Sequence, residues 1–335
     1  MKKTLVTILT IALMLLMVLP ASAEITDPSE ARVAIVIYPS SNTTIQVMMS
    51  GFLQTAEELG MKTLYIGGDT ADNATVEQMI DTAIAQYDDL YAVCLNPASE
   101  AKWLMAKKFT DNGIYVVGSW SILSDESFET YGINKDYFLG FHGLDSGEYG
   151  YNAGMLMGEK VGGKGTVAIT QSGFTDNENK ASEGFRKAIA ENYPDMVVLD
   201  TQVESTDVTQ GIGVVTSIIQ ANIGDLVGAF GTTGTSPQTW SQAAEDLGWD
   251  GYIIGMDATS TNLDILEAGG VDAIVAQPMY DCYAACAQHI YDHIKGEDVP
   301  FANVQSVPII FAEDAPAYRD ILRGADTYVA HMNLG

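Results

Sequence analysis

The feature that most limits what this chain can fold into is a strict alternation of two kinds of segment. Short apolar runs of four to six residues take turns with longer helical stretches along almost the whole length. The runs are Val33–Tyr38, Lys62–Ile66, Tyr91–Leu95, Tyr115–Gly118, Tyr137–Phe141, Thr166–Thr170, Met196–Thr201, Leu226–Phe230, Tyr252–Met256 and Ala273–Gln277. Most are continuously apolar and rich in Val and Ile, which suits parallel strands buried on both faces. The intervening helices are expected over Asn42–Leu59, Thr75–Gln86, Ser99–Asn112, Gly147–Lys160, Asn179–Asn192, Val208–Ala221 and Pro237–Leu247. Gly60, Gly113 and Gly248 stand where three of these should stop, because glycine accepts the left-handed backbone that closes a helix. Strand, helix and strand in turn predict α/β architecture with doubly wound parallel sheets. At 335 residues the chain exceeds one ordinary core, so two similar lobes are expected. No low-complexity linker separates them, which points to several short crossings rather than one tether.

The amino terminus reads differently. Met1-Lys2-Lys3 is a positive cap, Leu5–Leu19 an apolar run, and Pro20 with Ala21-Ser22-Ala23 a small-residue cleavage site. This is the plan of a secretory signal peptide over residues 1–23, cut after Ala23. A spanning helix needs roughly 20 apolar residues, more than this run supplies. No Cys lies near the cut, so no lipid anchor is expected and the mature protein should be periplasmic or secreted. The net charge of −28 becomes −30 once the two leader lysines are gone, a surface that repels nucleic acid and anionic lipid. The three cysteines, Cys94, Cys282 and Cys286, do not make a disulfide-built fold.

In open α/β sheets the ligand lies beyond the carboxyl ends of the strands. Those ends read Pro39-Ser40-Ser41-Asn42, Asn96-Pro97, Ser119-Trp120-Ser121, Gln171-Ser172-Gly173, Gly231-Thr232-Thr233, Asp257-Ala258-Thr259 and Gln277-Pro278. The set holds hydroxyls, amides, one carboxylate and one large aromatic, as a small polyhydroxylated ligand requires. Asn, Ser, Thr and Gly are also ordinary turn residues, so this set alone only tilts the reading toward binding. Catalytic constellations fail: Ser172-Gly173 lacks the context of a nucleophile elbow. Gly158–Gly165 departs from a phosphate loop at its last position and precedes a strand. No cofactor motif is present. Cys282, Cys286, His289 and His293 share one helical face, but four ligands strung over three turns cannot converge on one metal ion. They are expected to be a packed Cys stripe with His at its wet edge, and no metal site is expected.

These residues carry a resemblance. Ala34-Ile35-Val36-Ile37 with Asn42 and Gly51-Phe52, then Leu95-Asn96-Pro97, Gly184-Phe185, Gly255-Met256-Asp257 and Ala276-Gln277, stand in the order and spacing of a known family. The chain resembles the ribose-binding-like group of periplasmic sugar-binding proteins over nearly all of its mature length. The resemblance implies a type I periplasmic-binding fold, two lobes joined by three hinge crossings near Asp145, Gln277 and Pro308. It divides the chain into 24–144 plus 278–306 for the first lobe and 145–277 plus 307–335 for the second, with Tyr280–Ile294 in the first. It implies a monomeric binder without enzymatic activity, which captures a monosaccharide or sugar derivative and delivers it to the membrane permease of an ABC importer. By matching position, Asn42 and Asn96 would reach the ligand from the first lobe, Asp257 from the second and Gln277 from the hinge. Thr44, Trp120, Asp176, Asn177, Asn179 and Thr233 complete the candidate set. The departures are as informative. The usual Asp-Arg is Trp120-Ser121, the usual Arg falls at Ala181, two expected aromatics are Thr44 and Ile45, and an expected Asn is Thr233. Trp120 would then replace the missing aromatic stacking. Asp176-Asn177 and Pro237 are similar to autoinducer-2 binders, so that ligand, a nucleoside on Trp120, and a role in sensing for a chemoreceptor or sensor kinase stay open.

Overall fold

The computed structural model describes residues 25–332 apart from 70–71, 97–99, 121–124, 174 and 206. The leader expected over 1–23, and Pro97 and Ser121 among the strand ends, lie outside the described residues. No helix among the described residues is long and apolar enough to cross a membrane.

The strands are β1 (Arg32–Val36), β2 (Lys62–Ile66), β3 (Leu90–Leu95), β4 (Tyr115–Trp120), β5 (Phe138–Leu144), β6 (Gly165–Gln171) and β7 (Met196–Val198). They continue with β8 (Gln202–Val203), β9 (Leu226–Gly231), β10 (Tyr252–Met256), β11 (Ala273–Val275), β12 (Ala302–Gln305) and β13 (Ile309–Ile310). The first sheet has the order β12-β5-β4-β3-β1-β2, with every pairing parallel. The second runs β13-β11-β10-β9-β6-β7, with β8 on β6 and a single antiparallel pair, β11 with β13. Continuous apolar runs have the consequence expected of them. In β1, Val33 and Ile35 enter the core on one face while Ala34 and Val36 enter the core on the other. The second sheet divides its buried side chains between two faces in the same way.

The helices are α1 (Thr43–Glu58), α2 (Asn73–Gln86), α3 (Glu100–Asp111), α4 (Asp125–Tyr131), α5 (Ser146–Lys160) and α6 (Asp176–Asn192). Then come α7 (Val208–Asn222), α8 (Ser236–Leu247), α9 (Ser260–Glu267), α10 (Met279–Ile294) and α11 (Ala315–His331). The helix expected from Asn179 starts three residues earlier, because Thr175 caps it by accepting the Glu178 N–H. The strand expected over Met196–Thr201 breaks after Val198. Arg186 takes the carbonyls of Val198 (3.3 Å) and Leu199 (2.5 Å), so those oxygens leave the ladder. The strands β12 and β13 and the helices α4, α9 and α11 were not expected. β12 is a four-residue, half-exposed edge with no apolar run to reveal it.

The chain passes between the sheets three times: from β5 into α5 at Asp145, from β11 to α10 through 276–278, and from β12 to β13 through 306–308. α5 and α6 pack closely against each other in the second lobe because glycines face backbone. A Cβ on Gly150 would lie 2.0 Å from the Ala181 carbonyl oxygen, and one on Gly184 would lie 2.1 Å from that of Gly147. α10 packs on α1 over the first sheet, with Cys282, Cys286 and Ile290 fully buried. The last helix touches the cores of both lobes. Tyr318 and Leu322 pack on the second lobe's core, whereas Tyr328, Val329 and Met332 pack on the first lobe's. A helix of 17 residues is about 26 Å long, enough to lie across both.

The Cys and His face of α10 also differs from expectation in one respect. The three cysteines are buried and free, but His289 is not at a wet edge: it is 3 % exposed and hydrogen-bonds His142 of β5 at 3.0 Å. Burial, with the neighbouring His289, pulls His142 down to about 4, so the pair is neutral at ordinary pH. His293 is half-buried beside the Tyr91 hydroxyl at 2.6 Å.

Candidate functional site

Strand order gathers the candidates. In the first sheet β1, β3 and β4 are neighbours, and their carboxyl ends lead to Asn42, Asn96 and Trp120. In the second, β11, β10, β9 and β6 adjoin in that order and lead to Gln277, Asp257, Thr233 and, through Gln171, Asn179. Among the described residues, Trp120 (φ 69°) and Asp257 (φ 67°) alone combine a side chain with a left-handed backbone. One stands at a strand's carboxyl end in each sheet. Such conformations cost roughly 1–3 kcal/mol and persist where surrounding bonds fix them, often at functional sites.

The bonds that fix Asp257 are visible. Asn262, 0 % exposed, donates from Nδ2 to the carbonyls of Gly234 (2.8 Å), Met256 (3.1 Å) and Asp257 (2.9 Å). One amide thus staples the loop after β9 to the loop after β10. Gly234 is needed there, since a Cβ would lie 2.6 Å from Asp257 Oδ2. Asp257 Oδ1 is buried and receives no donor among the described residues. Burial, aided by the charge of Glu178, pushes the Asp257 carboxyl up to about 7.

The remaining candidates fall into three groups. Asn179 belongs to a buried polar network, with its Oδ1 accepting from Gln171 Nε2 at 2.9 Å while Ser182 Oγ donates to Gln171 Oε1 at 2.9 Å. Gln277 lies at the second crossing, and Thr233 is buried just before α8. Trp120 is half-buried, its indole packed on the first lobe's core, and Asn96 is half-buried at the end of β3. Asn42 and Thr44 serve α1 directly: Asn42 Oδ1 accepts the Thr44 N–H at 2.9 Å, which caps the helix. Asp176 and Asn177 are exposed, and Asp176 pairs with Lys180 at 2.7 Å along the outside of α6.

Sequence reasoning passed over Glu178. It is 9 % exposed, and its carboxylate accepts from Ser172 N (2.8 Å), Ser172 Oγ (2.9 Å) and Thr175 Oγ1 (2.9 Å), pinning the loop after β6. The spacing Thr175-x-x-Glu178 is a helix-start signature that marks it. Glu204, also passed over, carried no such signal. It is fully buried, accepts from Thr239 Oγ1 at 3.0 Å, and is pushed by burial up to about 7.

A cavity of about 360 Å³ opens where the lobes meet. Val47 of α1, Ala258 beside Asp257, Gln277, Gln305 and Tyr318 line it, so it draws on both lobes, two crossings and the last helix. The arrangement supplies hydrogen-bond acceptors and amides at the strand ends of both sheets. Among the described residues no group of three or more His, Cys, Asp or Glu could hold a metal.

A curated relative, the D-apiose import binding protein of Actinobacillus succinogenes, is 26% identical over 257 residues, covering 74% of this chain and 77% of its own length. Two solved structures superpose with a TM-score of 0.73. One is an ABC transporter periplasmic solute binding protein from Actinobacillus succinogenes with bound D-allose, 21% identical, covering 86% of this chain and 100% of that one. The other is an arabinose binding protein from Geobacillus stearothermophilus, 20% identical, covering 86% and 99%. These likenesses establish the type I periplasmic-binding fold. The family model described as periplasmic binding protein domain matches residues 33–298, and the chain therefore belongs to that family.

Proposed function

We propose that this protein is an extracytoplasmic substrate-binding protein that captures a monosaccharide or sugar derivative and delivers it to the permease of an ABC importer. The observation that carries the reading is the pair of left-handed residues, Trp120 and Asp257, at strand ends of the two sheets. The names of the relatives, which concern D-apiose, D-allose and arabinose, favour a sugar. Asp257 accepts hydrogen bonds from ligand hydroxyls, Gln277 and Asn179 supply amides from the second lobe, and Asn96 and Trp120 meet the ligand from the first. The lobes, 24–144 with 278–306 and 145–277 with 307 onward, close about the three crossings, and the last helix lies over both. Cross-lobe bonds form only in the closed state, so the ligand stabilises closure by that difference. The protein acts as a monomeric carrier released by cleavage after Ala23.

A thermal-shift screen of refolded, ligand-free protein tests this. The panel holds pentoses, hexoses, deoxysugars, sugar alcohols, nucleosides and autoinducer-2. A ligand at a hundredfold excess over its Kd stabilises the native state by about 2.7 kcal/mol. A shift with a sugar is expected. A shift with nucleosides or autoinducer-2 alone would keep the carrier and replace the ligand class.

A further inference from the structure

The apolar face of α11 changes lobes halfway along the helix. Ala315, Tyr318, Leu322, Ala325, Val329 and Met332 recur at alternating spacings of three and four, so they share one face. Tyr318 and Leu322 rest on the second lobe's core, Val329 and Met332 rest on the first lobe's, and the fully buried Ala325 lies between. The two halves are held unequally. On the second lobe Arg319 reaches α9, with Nε donating to Glu267 at 3.1 Å and Nη2 to Asp264 at 2.6 Å. In the other half the side chains of Arg323, Thr327 and His331 bond back to α11 itself. An open groove of about 560 Å³ separates Arg323, Thr327 and His331 from Gln54 of α1. Gly324 stands beside the changeover. Glycine is required where the backbone turns left-handed or where a neighbour leaves no room for a Cβ. Gly324 has an ordinary helical backbone, and a Cβ there would meet nothing within 4 Å. What glycine contributes at this position is a weaker preference for the helix.

We propose that α11 is a jointed strap across the hinge: residues 315–322 travel with the second lobe, residues 325–332 stay seated on α1, and Gly324 is the joint between them. The inference rests on the lobe closure proposed above. A rigid helix packed on both cores would have to lift one set of apolar side chains from its seat whenever the lobes moved apart. Bending at residue 324 spares both seats, because helix preference is lowest there and no side chain shields the backbone. The groove beside Arg323 and His331 gives the bend room. The strap thereby limits how far the lobes separate, and the stiffness of one exposed residue that is no part of the candidate sugar site sets the range of their motion.

Pulsed electron resonance between spin labels on the two lobes tests the inference. Gln78→Cys on α2 and Glu183→Cys on α6 supply exposed attachment points, while the three native cysteines are buried. Spacings are measured without sugar and with each pentose and hexose of the thermal-shift panel. Gly324→Ala should make bending about two- to fivefold rarer, the helix-interior preference of alanine over glycine. The labelled parent is expected to cover a wide range of spacings across these conditions. Gly324→Ala should cover a smaller range, with slower amide exchange over residues 325–332. Gly213→Ala is the control, because it stiffens α7, which packs on the second lobe's core, and it should leave the range as in the parent. A parent that moves, with Gly324→Ala moving equally, overturns the strap and leaves closure standing. Equal narrowing by Gly213→Ala overturns the joint as the cause. A parent fixed at one spacing with and without every sugar overturns closure and the strap together.

Discussion

Asp257→Asn replaces an acid that the fold keeps from water with a neutral side chain of nearly the same shape. The folded carboxyl titrates at about 7 because of burial first and Glu178 second, against about 3.9 for an unfolded Asp. A raised folded value means that the group's contribution to stability is intact below about pH 4 and is lost as pH rises to about 7. The span of about 3 pH units corresponds to about 4 kcal/mol as a ceiling. Asp257 keeps partial contact with solvent in the cleft, so a figure of about 1–2 kcal/mol is the working expectation. For a chain of this size that is a rise in Tm of roughly 1.5–3 °C. The ligand-free variant should therefore melt above the parent at pH 8, with the difference vanishing near pH 4. The same variant should bind its sugar at least about tenfold more weakly, or 1.4 kcal/mol, because a ligand hydroxyl loses its charged acceptor. Thermal melts from pH 4 to 8.5, paired with calorimetry, read both effects. A variant that melts at or below the parent at pH 8 would show that the carboxylate is already satisfied, and the reasoning would fail.

Two further predictions test separate links of the argument. Gly184→Ala places a Cβ 2.1 Å from the Gly147 carbonyl oxygen, so overpacking of about 1–3 kcal/mol should outweigh the helix-propensity gain of up to about 1 kcal/mol and lower Tm. Gly213→Ala, inside α7 with nothing within 4 Å, should hold or raise Tm; if both variants raise it, α5 and α6 do not pack as described. Trp120→Ala should weaken sugar binding about tenfold by calorimetry, in line with an aromatic face worth about 1 kcal/mol beyond its area. Unchanged affinity would confine the indole to the first lobe's core.

Much of the fold was legible because buried parallel strands must be apolar on both faces. Lys62–Ile66 and Tyr252–Met256 were read with their observed bounds for that reason. Residues whose order comes from a partner were not legible. β12 exists because β5 offers it a ladder, and Met196–Thr201 was overread because Arg186 claims its carbonyls. The candidate site divides in the same way. Asp257 and Trp120 became candidates through their place after strands, whereas the exposure of Asp176 and Asn177 and the burial of Glu178 depend on how α6 turns on its axis against α5.

From order and composition alone, the chain dictates alternating α/β layers, two lobes, and a polar rim at the strand ends, since hydrophobic period and turn chemistry are local properties. Tertiary structure decided what those rim residues do. Asn42 became a helix cap, Asn262 a staple between two loops, and α11 a helix lying over both lobes. Only the packed protein could bury Glu204 and leave Asp257 Oδ1 dry, because desolvation arises when distant segments meet.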